Sequence, residues 1–248
     1  MSFIRSTFVA TFLISSSLWA APRLKLHYQL SGTPKNYSKA NWVGVDLFDG
    51  SKSLVDKLHK EGKFVVCYFS AGTAENYRSD YKSFPKSAVG KTMSDWPDEK
   101  WLDIKNPGVL TVHKKRLDRA RDMGCDGVDP DNVDGYANKT GFTISQNDQI
   151  KFLRSLVKEA RARGLDIGLK NATDIAKTVA KDFDWIIVEE CYKWKECGQY
   201  QAFPDLGKPA FLIEYTKYSQ KNCDDANKRG MSLMFADMDL KGPFTYCK

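Results

Sequence analysis

From position 42 to position 237 the chain alternates short apolar runs with amphipathic stretches, the pattern of strands and helices taking turns around a parallel sheet. Eight runs read as strands: 42–48, 64–70, 101–104, 127–131, 166–170, 185–189, 210–215 and 233–237. Between them, helical periodicity predicts helices over 54–61, 109–123 and 147–163, the first and last stopped by Gly62 and Gly164. Eight βα units in 248 residues predict a single (β/α)8 TIM-barrel domain. An open doubly wound sheet would need a glycine-rich phosphate loop after its first strand, and Val45-Asp46-Leu47-Phe48-Asp49-Gly50 is not one. The segment 71–100, with Tyr77, Tyr81, Phe84 and Trp96, is too long for a simple connection and is expected to wall a cleft.

Ahead of this pattern stand a lone basic residue, Arg5, an apolar stretch over 8–19, and the small residues Ala20 and Ala21. They read as a signal peptide over 1–20, leaving 21–248 as a secreted or periplasmic domain. The apolar stretch falls short of the ~20 residues a membrane span needs. Six cysteines suit an oxidising compartment. Cys191 with Cys197 and Cys223 with Cys247 are plausible staples, whereas Cys67 and Cys125, inside apolar strands, are expected as free core thiols. With no Cys-x-x-Cys and with His27, His59 and His113 far apart, no metal and no cofactor is expected. The net charge of +7 is spread along helices with Asp and Glu between the basic residues, so a nucleic-acid partner is not expected. A monomer that acts on a polysaccharide, with no membrane partner after signal cleavage, is the expectation.

In a barrel of this kind the chemistry stands at the C-terminal strand ends. Acidic residues recur there: Asp46, Asp129 and Asp131, Glu189 and Glu190, Glu214, and Asp237. Such an inventory suits sugar chemistry, in which one carboxyl protonates the leaving oxygen and another attacks or activates water. The strongest local signal is Gly127-Val128-Asp129-Pro130-Asp131-Asn132-Val133-Asp134-Gly135-Tyr136, where alternation puts Gly127, Asp129 and Asp131 on one face. A calcium loop fits worse, because the acids are one residue off that spacing and position twelve would be Thr140. The second signal is the apolar strand 185–189 ending in Glu189-Glu190, of which alternation lets one face the barrel mouth. Lys170-Asn171 would sit between the two acidic sites, Lys170 holding a carboxylate ionised and Asn171 reaching a sugar hydroxyl or capping a helix. Tyr68 and Tyr215 are the aromatic residues expected in the cleft.

At these residues the chain resembles the endo-α-1,4-polygalactosaminidases, glycoside hydrolase family 114. The resemblance runs through Trp42-Val43-Gly44-Val45-Asp46, Cys67-Tyr68-Phe69-Ser70-Ala71-Gly72, Asp129-Pro130-Asp131-Asn132-Val133-Asp134-Gly135-Tyr136, Gly168-Leu169-Lys170-Asn171 and Val188-Glu189-Glu190-Cys191. It implies a TIM barrel that cleaves α-1,4-linked galactosamine polysaccharide, such as a biofilm exopolysaccharide, with Asp131 and Glu189 as catalytic residues. Asp46, Tyr68, Asp129, Asn132, Lys170, Asn171, Glu190, Tyr215 and Asp237 are the expected substrate contacts. The family's motif often has Glu where this chain has the shorter Asp129. A basic protein acting on a cationic polymer calls for either a locally acidic cleft or an N-acetylated, neutral substrate. Hydrolysis of another galactose-containing glycan, and a catalytically silent carbohydrate-binding barrel, are the competing readings. Presence of both carboxylate sites and the Lys-Asn pair argues against the silent barrel.

Overall fold

Alternation along each strand sorts the side chains into two sets, one packed outward under the helices and one pointing into a closed interior. The computed structural model describes residues 24–247, and the leader expected over 1–20 lies outside the described residues. In chain order the strands are β1 (Leu26–Tyr28), β2 (Trp42–Asp46), β3 (Phe64–Ser70), β4 (Thr73–Glu75), β5 (Val89–Thr92), β6 (Glu99–Leu102), β7 (Gly127–Asp131), β8 (Asp166–Lys170), β9 (Trp185–Glu189), β10 (Ala210–Glu214), β11 (Ser232–Phe235) and β12 (Thr245–Tyr246). The helices are α1 (Lys52–Lys60), α2 (Pro107–Met123), α3 (Gln146–Arg161), α4 (Thr173–Val179), α5 (Cys191–Trp194), α6 (Ala202–Asp205) and α7 (Gln220–Lys228). Local signals set the ends of the long helices. Asn106 and Pro107 start α2, which stops at left-handed Gly124, and Ser145 and Asp148 form a capping box on α3.

Eight strands, β1, β2, β3 and β7 to β11, run parallel in that order, and β12 adds an antiparallel edge to β11. The fold is the expected (β/α)8 barrel. Its two sheet edges meet through side chains: Lys25 Nζ lies 5.7 Å from the Tyr246 ring centre, and the His27 and Phe244 rings are 4.5 Å apart. The lower interior is aromatic. Trp42 stacks on Phe64 at 4.1 Å and meets Trp185 at 5.0 Å and Phe211 at 5.2 Å. Trp185 fits because its neighbours across the ladder lack side chains. A Cβ on Gly168 would lie 2.0 Å from Trp185 Nε1, and one on Gly127 would lie 2.5 Å from the same ring.

Two expectations need correction. The apolar run 101–104 is not a barrel strand: it falls in and just after β6, the middle strand of a separate antiparallel sheet ordered β4-β6-β5. The barrel strand it displaced from the count is β1, whose three residues are too few to show a period. The second correction concerns Cys67 and Cys125, which form a disulfide where free thiols were expected. Both sit in the outward layer, Cys67 on β3 and Cys125 just before β7, and β3 pairs directly with β7. Cys191–Cys197 and Cys223–Cys247 are bonded as their spacing suggested.

The Cys67–Cys125 bond closes 58 residues and Cys191–Cys197 only 6. In the chain-entropy picture these are worth about 4 and about 2 kcal/mol. A Cys67→Ala/Cys125→Ala protein is therefore expected to unfold at markedly lower guanidinium than a Cys191→Ala/Cys197→Ala protein. Equal losses in equilibrium unfolding would show that loop length does not govern them.

Candidate active site

Three adjacent strand ends, on β7, β8 and β9, supply the side chains of the barrel mouth. Inward alternation puts Asp129 and Asp131 on β7, Lys170 on β8 and Glu189 on β9 in one interior column. Lys170, with its side chain 2% exposed, is the hub. Its Nζ lies 3.3 Å from Asp131 Oδ2 and 3.0 Å from Glu189 Oε2. Burial alone would discharge this amine, but Asp131, Glu189 and Asp129 outweigh it and hold the ammonium above its ordinary range.

The two carboxylates are braced differently. Asp131 Oδ2 accepts from Tyr68 Oη at 3.1 Å, and Oδ1 accepts from the Asn132 backbone N–H at 2.7 Å. That N–H turns back because Asn132 is left-handed (φ 59°), a conformation asparagine tolerates. The peptide is clamped from above, since Ala71 N and Gly72 N both donate to Asp131 O and a Cβ on Gly72 would lie 1.7 Å from Asn132 O. Glu189 Oε1 accepts from Tyr215 Oη, and Oε2 accepts from Asn171 Nδ2 at 3.3 Å. Asn171 Oδ1 in turn takes the Glu189 backbone N–H at 2.8 Å. Burial pushes the Glu189 carboxyl up, but Lys170, Tyr215 and Asn171 together hold it below the usual carboxylate range.

Asp129 lies deeper. It accepts from Tyr28 Oη through Oδ2, and its Oδ1 is buried with no partner. Burial, opposed by Lys170 and reinforced by Asp131, pushes its carboxyl up to about 7. Tyr28 on β1, which sequence reasoning missed with its strand, thus joins the site. Its only signal is the two-residue recurrence from Leu26.

Other expected residues stand apart from this cluster. Asp46 is held by a bidentate pair with Arg78 and accepts from Phe48 N and Asp49 N. The Asn132 amide turns away from the pair toward Ser70, Thr73 and Glu99. The strand breaks after Glu189, Glu190 turns left-handed (φ 57°), and its Oε1 pairs with Lys193 Nζ at 2.8 Å. Asp237 lies two residues beyond the end of β11 and is exposed. Arg78, Glu75 and Glu99, which the sequence gave no reason to single out, form a buried polar group beside Asp131.

A (β/α)8 barrel that gathers two carboxylates on one buried ammonium at its C-terminal rim is the architecture of a glycosidase. Its family is shown directly. The chain belongs to glycoside-hydrolase family GH114, whose sequence profile matches residues 10–248. Among solved structures it is similar to Aspergillus fumigatus Ega3 in complex with galactosamine, at 42% identity and a TM-score of 0.81, over 91% of this chain and 94% of that one. The glycoside hydrolase domain of PelA from Pseudomonas aeruginosa shares the fold at 14% identity and a TM-score of 0.70, over 89% of this chain and 97% of that one. A Deinococcus radiodurans protein is 25% identical over 175 residues, a stretch covering 62% of this chain and 57% of that relative's length.

Asp129 generates a pH dependence whose sign is fixed. Its carboxyl keeps its proton to about 7 in the folded chain but releases it near 3.9 when unfolded, so between those values the unfolded state binds fewer protons and stability falls as pH rises. Asp129→Asn keeps an acceptor for Tyr28 and removes that slope. At pH 7 the variant is expected to gain about 3 kcal/mol over wild type relative to the difference at pH 4. Urea unfolding across that range checks it, and parallel curves would contradict it.

Proposed function

We propose that this chain hydrolyses α-1,4-linked galactosamine polysaccharide, with Asp131 and Glu189 as the reacting carboxylates. The observation that carries the reading is the pair itself, held on Lys170. Similarity over 91% of the chain to a protein crystallised with galactosamine supports the substrate class. Three disulfides among the described residues support export, with 1–20 as the leader and 21–248 as one catalytic domain. No helix among the described residues is long and apolar enough to cross a membrane.

The spacing of the pair bears on mechanism. Because one Nζ lies 3.3 Å from Asp131 Oδ2 and 3.0 Å from Glu189 Oε2, those oxygens are no further apart than the sum of the two distances. We read the pair as the retaining arrangement, whose carboxyl groups stand about 5–5.5 Å apart, a separation which that bound admits. One carboxylate then attacks the anomeric carbon and forms a glycosyl-enzyme bond, while the other gives its proton to the leaving oxygen. Water, deprotonated by that second group, breaks the glycosyl-enzyme bond. Tyr68, Asn132, Asn171 and Tyr215 orient the two carboxylates through this cycle. Lys170 supplies a counter-charge that does not depend on a metal.

Asp131→Asn and Glu189→Gln are each expected to cut reducing-end release from polygalactosamine by about a thousandfold or more while the protein still folds. Glu190→Gln is expected to lose far less. The first product should keep the α configuration by proton NMR. Near-wild-type activity in either variant would remove that residue from the mechanism, and a β product would overturn retention.

A further inference from the structure

An exported chain meets enzymes that attach sugars to asparagine, and the pattern they read, Asn-x-Ser/Thr, occurs at Asn36-Tyr37-Ser38, Asn138-Lys139-Thr140 and Asn171-Ala172-Thr173. The fold treats these places differently. At Asn171 both ends of the amide are engaged, Nδ2 donating to Glu189 Oε2 at 3.3 Å and Oδ1 accepting the Glu189 backbone N–H at 2.8 Å. The Thr173 hydroxyl is bonded to Tyr200 Oη at 2.6 Å. A glycan on Asn171 would stand between β8 and β9, inside the mouth. Asn138, in the loop after β7, is exposed but tied. Its Nδ2 donates to Asp134 O at 3.0 Å, and Thr140, 1% exposed, has its hydroxyl bonded to Phe142 N and Phe142 O at 3.1 Å each.

Folding leaves Asn36 alone. It sits in the 29–41 connection from β1 to β2, exposed, and among the described residues neither its amide nor the Ser38 hydroxyl has a hydrogen-bond partner. Its neighbours, in contrast, are fixed. Gln29, 6% exposed, reaches from the end of β1 to Ser31 O, Thr33 O and Lys35 N, and so holds the chain up to the residue before Asn36. Beyond it, the Tyr37 ring packs edge-on against His27, Ala40 N donates to Tyr37 O, and Lys63 Nζ donates to Ser38 O at 3.1 Å and Ala40 O at 2.6 Å. Between these anchors the backbone turns left-handed at Asn36 (φ 60°), a conformation asparagine tolerates. Lys63 stands just before the start of β3, so the Ser38 end of the pattern lies at the N-terminal face of the barrel, opposite the rim that carries Asp131 and Glu189.

We propose that Asn36 is an N-glycosylation site, its Nδ2 bonding to the anomeric carbon of an oligosaccharide delivered on a lipid diphosphate. The bond from that carbon to the diphosphate oxygen breaks, and the diphosphate leaves with the electron pair and takes up the proton that Nδ2 gives up. Transfer competes with folding. Folding engages the Asn171 amide through Glu189 and the Asn138 amide through its own loop, whereas Asn36 stays open before and after, so occupancy falls in the order Asn36, Asn138, Asn171. The glycan at Asn36 stands clear of the mouth and leaves hydrolysis untouched. The proposal rests on the export reading above and is independent of the hydrolase reading.

Protein secreted by its native cells is treated with a peptide-N-glycosidase in heavy-oxygen water, which turns each glycan-bearing Asn into a labelled Asp, and is then mapped by mass spectrometry together with its N-terminal peptide. Label is expected at position 36, less at 138 and none at 171. Asn36→Gln and Ser38→Ala are each expected to lose the glycan and its mobility shift on gels, with kcat/KM on the polysaccharide unchanged. Ser38→Ala removes the pattern but keeps Asn36, which separates loss of the glycan from damage to the left-handed turn. Ser38→Thr is expected to keep the glycan. A bare Asn36 on a chain whose leader has been removed overturns the proposal, and so does higher occupancy at 138 or 171 than at 36. A drop in kcat/KM in Ser38→Ala overturns the claim that the glycan stands clear of the mouth. A bare Asn36 on a chain that still begins at Met1 marks failure of the export reading, which takes the glycan with it.

Discussion

One buried ammonium group organises the mouth of this barrel. Taking a lysine out of water costs several kcal/mol, and Lys170 is almost fully enclosed. Asp131, Glu189 and Asp129 offset that cost. The dependence runs the other way as well. Asp131 and Glu189 both take the same ammonium, so the lysine fixes the two carboxyl groups in one site. Asp129, one layer down, is the member that burial leaves holding its proton longest.

The layers below prepare this arrangement. Large rings on β2, β3, β9 and β10 fill the lower interior, and small residues on β7 and β8 make room for Trp185, so the floor is apolar and packed. Above it, Tyr28 caps Asp129 and lies under Lys170, whose Nζ is 5.4 Å from the ring centre. Each of the three strands that supply the central residues ends the same way. Asn132 after Asp131, Asn171 after Lys170 and Glu190 after Glu189 are all left-handed. For β7 and β8, that sharp exit swings an N–H or amide back onto a carboxylate. The β9 exit instead separates Glu190 from Glu189 and leaves it to Lys193.

Much of this was legible in the sequence because it rests on alternation. The runs at 64–70, 127–131, 166–170 and 185–189 match their strands, and period two placed Asp129, Asp131, Lys170 and Glu189 inward. What alternation cannot carry was not legible. Leu26–Tyr28 is too short to register, and Trp101 and Leu102 look like a barrel strand because their own strand buries both of them. Cys67 and Cys125 read as core thiols because pairing depends on which strands become neighbours. The partners of Asp46 and Asn132 were likewise hidden, since Arg78 and Glu99 reach them from the 71–100 segment, whose path no local period specifies.

The most direct test of the shared ammonium is a neutron diffraction structure of the deuterated protein near pD 6. Lys170 Nζ is expected to carry three deuterons, two of them pointing at Asp131 Oδ2 and Glu189 Oε2, with Glu189 bare and Asp129 deuterated. A neutral Lys170 beside a deuterated Glu189 would contradict the account.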